Sequence, residues 1–68
     1  MKVKFTLKSK YAESRYKMKV GDYVVLDGMS SANGIPKNDQ LKAAIEEKFG
    51  VKILSSSPQS SDFDREKA

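Results

Sequence analysis

The chain contains no cysteine and no histidine. Without thiolate or imidazole it can form no disulfide, and it cannot assemble the usual nucleophile–base pairs of covalent catalysis. Zinc and most transition-metal sites require one of those two ligands and are excluded with them. Tryptophan is also absent, and the longest uninterrupted apolar run is Tyr23-Val24-Val25-Leu26. That run falls far short of the ~20 residues needed to span a bilayer. Met1-Lys2-Val3-Lys4 is not followed by an apolar segment of secretory type, so no signal peptide is expected. The lack of cysteine fits a reducing compartment. A soluble, cytoplasmic protein with no membrane partner is the expectation.

The remaining chemistries fail on spacing. Gly28 and Gly34 frame a glycine-containing loop before a helix, but five residues separate them and Ile35-Pro36 follows. A phosphate-binding P-loop needs four, then Lys and Ser or Thr. Turn formation is the simpler role for these glycines, although a generic anion site at the helix start stays open. Asp62 and Asp64 stand two apart as in some calcium loops, without the glycine and closing glutamate of an EF-hand. Glu46 and Glu47 are neighbours on a helix and so point in different directions. No metal, no cofactor and no enzymatic activity are expected.

What is present is patterned. Sixty-eight residues make one domain, near the lower limit of unaided folding. Val3, Phe5 and Leu7 alternate with Lys2, Lys4, Thr6 and Lys8, which predicts a strand with one apolar and one cationic face. Tyr16, Met18 and Val20 alternate likewise with Arg15, Lys17 and Lys19, and the two runs predict an antiparallel hairpin. Gly21-Asp22 marks a turn into a third strand, Tyr23 to Leu26. Its register is ambiguous: a tight turn faces Tyr23 and Val25 inward, a wider one Val24 and Leu26. The aliphatic pair is favoured.

Asp27 to Asn38 is a loop by composition. Pro36 and Asn38-Asp39 signal a helix start, Leu41, Ala44, Ile45 and Phe49 form an apolar stripe, and Gly50 sits at the helix stop. Val51 to Leu54 predicts a fourth strand. Residues 55–68 are a Ser-rich loop followed by either a short edge strand docking Phe63 or a disordered tail. The expected fold class is α+β: one two-layer domain over 1–54, a three-stranded antiparallel meander, one helix, then one or two strands. The expected core is Val3, Phe5, Leu7, Tyr16, Met18, Val24, Leu26, Leu41, Ile45, Phe49, Val51 and Ile53.

Charge is distributed unevenly. Residues 1–20 carry seven cations (Lys2, Lys4, Lys8, Lys10, Arg15, Lys17 and Lys19) against the single acid Glu13, while the remainder carries six cations and eight acids. On the hairpin expectation most of these cations share one sheet face. Such a surface suits a nucleic-acid backbone or an acidic partner, or simply solvates the sheet and discourages edge pairing. Sheet-based RNA readers also stack bases on exposed aromatics, which this face is not expected to offer.

The opening Met1-Lys2-Val3-Lys4-Phe5 and the small basic sheet are superficially similar to archaeal chromatin proteins. Those read DNA with an exposed Trp that is missing here, so their function is not carried over. The Lys19-Val20-Gly21 turn, the Asn33-Gly34 loop, Phe49-Gly50-Val51-Lys52-Ile53 and the charged final segment resemble small bacterial proteins of gut commensals and mobile elements. That resemblance covers residues 16–68 by pattern, implies no function, and favours a last strand near Phe63. Two functions follow from the residues. One is a small non-enzymatic interaction or adaptor protein, working through its open sheet face or an edge strand on another protein or on itself as a homodimer. The alternative is a nucleic-acid-binding module using the seven cations.

Overall fold

The computed structural model describes residues 1–31, 34, 36, 40–53 and 58–68. It is an α+β domain with one three-stranded sheet. Strand β1 (Val3–Leu7) is central. It pairs antiparallel with β2 (Tyr23–Leu26) on one side and antiparallel with β3 (Phe63–Lys67) on the other. Val3, Phe5 and Leu7 point inward together with Val24, Leu26 and Phe63, and all are buried. The favoured register of Tyr23 to Leu26 is the one observed, with Val24 and Leu26 in the core. The last segment forms the edge strand, with Phe63 docked.

Residues 15–20 are not a strand. The chain leaves β1 through a 3-10 turn (Lys10–Ala12), enters the short helix α1 (Glu13–Tyr16), and reverses at Lys17 in the left-handed conformation, φ 55°. It returns where Leu7 N–H donates to Asp22 O at 2.8 Å and Gly21 N–H donates to Leu7 O at 3.0 Å. Two physical reasons explain the difference. Ala12 and Tyr16 lie four apart and both are buried, so one side of a helical turn meets the core as well as a strand would. Moreover, a strand has two edges, and β2 and β3 already occupy both edges of β1. The expected three-stranded meander is therefore replaced by the strand order β2-β1-β3, with the last strand in the chain beside the first.

Helix α2 (Gln40–Phe49) lies against β2. Leu41 and Ile45 are buried, Ala44 and Phe49 pack beside them, and Gly50 ends the helix at φ 64°. A glycine there avoids the Cβ clash of the left-handed region. The expected start signals Asn38 and Asp39 lie outside the described residues. Val51 to Ile53 is not the fourth strand that its β-branched content suggests. The Ile53 N–H, which a ladder would need, donates instead to Glu46 Oε2 at 2.9 Å. Ile53 is buried and Val51 half-buried; Leu54 lies outside the described residues.

The core gathers around aromatic rings. Phe63 stacks on Tyr16 at 5.7 Å between centroids and meets Phe5 edge-on at 6.2 Å. Tyr16 is 1% exposed, and its hydroxyl donates to Asp62 Oδ2 at 2.7 Å and accepts from Gln59 N–H at 3.0 Å. The core also takes in Ala12 and Met29, which sequence patterning did not single out.

Burial, with the hydrogen bond to Asp62 adding to it, raises the Tyr16 pKa above its ordinary value of 10.0. The folded state then holds this proton more tightly than the unfolded chain. The associated stability is complete below pH 10.0 and is lost as pH rises through the folded value. In denaturant titrations, the stability advantage of the native chain over Tyr16→Phe should shrink as pH is raised past that point. A gap that stays constant across the alkaline range would contradict the assignment. Lys17 offers a second check, because a non-glycine residue in the left-handed region costs roughly 1–2 kcal/mol. Lys17→Gly should therefore raise stability by about 0.5–1 kcal/mol after the unfolded-state entropy of glycine is subtracted. A loss of stability would show that the Lys17 side chain makes a compensating contact.

Candidate interaction face of the sheet

The seven cations expected to share a face are divided by the fold. Lys2, Lys4 and Lys8 stay on the outer side of β1, whereas Lys10, Arg15, Lys17 and Lys19 lie on the excursion between β1 and β2. Arg15 covers the Tyr16 ring, its guanidinium carbon 5.7 Å from the centroid. Lys17 supplies the left-handed stop of α1, and the Lys19 N–H donates to Asp22 Oδ2 at 2.9 Å.

The outer face is also less uniformly basic than the N-terminal sequence suggests. Strand β3 brings Glu66 opposite Lys4 and Asp64 opposite Thr6. Lys8 forms an ion pair with Asp64 at 3.7 Å. Both partners are largely exposed, so the pair contributes little to stability. Across β1, the third column of the face is apolar: Tyr23 and Val25 point outward and are 41% and 43% exposed. The aromatic missing from the expected surface is thus present, supplied by β2.

Helix α2 borders this column. Leu41 and Ile45 reach the core side of β2, while Ala44, Glu47 and Lys48 line a shallow open depression of 370 Å³ with Val25. Lys48 closes the free edge of β2: its ammonium group donates to the Tyr23 carbonyl at 2.6 Å and sits 3.5 Å from the centre of the Tyr23 ring. The Lys4 ammonium approaches the same ring at 4.4 Å. Position 48 follows Leu41 by seven residues and Ile45 by three, which places it on the apolar stripe of the helix. A lysine on that stripe must carry its charge around to solvent while its stem stays packed. That position was the sequence signal for this residue.

Among the described residues no group of three or more acids is placed to hold a metal ion, and no helix is long and apolar enough to cross a membrane. No protein-family model, curated protein or solved structure matches this chain. The site is thus defined by its own residues.

Proposed function

We propose that this chain is a small non-enzymatic interaction module that binds a protein partner through the outer face of its sheet, at the border of β2 and α2. The observation that carries this reading is the pair Tyr23 and Val25, exposed side by side on a strand whose other face is wholly buried. Tyrosine is enriched among residues that dominate interface energy. Covering the exposed parts of these two side chains contributes on the order of 1–2 kcal/mol before any polar contact is made.

The face is favoured over the free edge of β3 on charge. Asp64 and Glu66 share the outer side of β3, and Arg65 and Lys67 share the inner side. Any second β3 strand added antiparallel with the same side facing the core sets acid against acid or cation against cation. Like charges opposite one another destabilise such pairing. A homodimer built edge to edge is disfavoured by the same arithmetic.

The nucleic-acid alternative keeps one supporting observation. Tyr11 is 90% exposed on the cationic excursion, next to Lys10 and four residues before Arg15 in sequence. It loses the continuous basic sheet face, because Asp64 and Glu66 interleave with Lys4 and Lys8.

Selection of displayed peptides against the immobilised chain, followed by amide chemical-shift mapping of the winners, separates these readings. Shifts at Thr6, Tyr23, Val25 and residues 44–48, abolished in a folded Val25→Glu variant, are the expected result. Binders that map to residues 8–22 would overturn the proposal. So would oligonucleotide binding there that weakens steeply with salt, or the absence of any selected peptide.

A further inference from the structure

The chemistry of the partner can be read from the cations on Tyr23. We infer that Lys4 and Lys48 form the anion-recognising half of the face. Their occupant is an extended peptide segment that presents a carboxylate two residues from an aliphatic side chain. This inference rests on the protein-binding reading above.

Two ammonium groups converge on one exposed ring, at 4.4 and 3.5 Å from its centre. Neither forms an ion pair among the described residues, although Lys8 on the same face does. The negative face of the ring offsets part of their mutual repulsion. An anion that approaches both would offset the rest. Lys48 is held in position by its bond to the Tyr23 carbonyl, which occupies one of its three donors and leaves two for a ligand. One carboxylate can accept from both lysines in charge-assisted bonds.

The neighbouring apolar position sets the spacing. Val25 lies two residues beyond Tyr23 on the same side of β2, roughly 6.6 Å along the strand. It borders the depression with Ala44. An extended peptide repeats its own same-side residues at the same interval, so a carboxylate over Tyr23 brings the second residue on over Val25 and Ala44. A polyanion fits less well. Glu66 lies opposite Lys4 in the ladder and Glu47 lines the depression, so negative charge flanks the cation pair on both sides. A single carboxylate sits between those acids, whereas a phosphate chain must pass over one of them.

The test uses the intact chain and three probes: the blocked peptide Thr-Glu-Thr-Leu-Thr, its Gln counterpart, and an oligothymidylate of equal length. With the Glu peptide at millimolar concentration, amide shifts are expected at Lys4, Tyr23, Val25, Ala44 and Lys48. The Gln peptide should bind at least tenfold more weakly, because it loses the charge assistance of its contacts with both lysines. Lys4→Gln should weaken the Glu peptide by a similar factor and leave the Gln peptide unchanged, with Lys48→Gln as a second variant. Equal binding of the two peptides at this face would overturn the inference while leaving the interaction reading intact. No shift with either peptide, or tighter binding of the oligothymidylate at these residues, would also overturn it. Failure of the display selection as well would remove both.

Discussion

The ring of Phe63 lies against Tyr16 at 5.7 Å and edge-on to Phe5 at 6.2 Å, and this contact joins three parts of the chain that are distant in sequence. Phe5 belongs to the central strand, Tyr16 to the short helix of the excursion, and Phe63 to the last strand. A domain of this size buries only about 60% of its extended surface, so a few large side chains must supply much of its stability. Each aromatic pair contributes about 0.5–1.5 kcal/mol beyond the area it buries. The Tyr16 hydroxyl adds bonds to Asp62 and Gln59, at the point where the chain enters β3. The edge strand is laddered to β1 along its length, and the Tyr16 ring and hydroxyl tie the excursion to it at its start.

That arrangement also leaves the outer face of the sheet available. Every core-facing position of β1 and β2 is filled by an apolar side chain, and no polar or charged side chain is buried among the described residues, so the inner face is packed core. Helix α2 sits beside β2 and brings Lys48 around its free edge, so the border of strand and helix is where exposed apolar surface and the Lys48 ammonium group meet. The opposite edge, at β3, alternates charge in a way that resists further strands.

The local elements were largely legible in the sequence. The alternation of Val3, Phe5 and Leu7, the inward pair Val24 and Leu26, the stripe of α2 and its Gly50 stop are each set by nearest neighbours. The segment 15–20 was not, because Tyr16 and Met18 suit the core from a strand or from a helical turn. The decision belongs to a long-range competition: β3, arriving from the far end of the chain, takes the second edge of β1. The candidate site suffered from the same limit. Lys2, Lys4 and Lys8 stand together on β1, but the grouping of Lys10, Arg15, Lys17 and Lys19 with them depended on the hairpin. Tyr23 pointed outward in the favoured register, yet its meeting with Lys48 required knowing where α2 docks.

Native-state hydrogen exchange tests the dependence on the Tyr16–Phe63 contact most directly. The amides that bond β3 to β1 and those of Met18, Gly21 and Asp22 should open with the same free energy, as one cooperative unit. A β3 strand that opens at markedly lower free energy than the excursion would contradict the account, because the two would then be held independently.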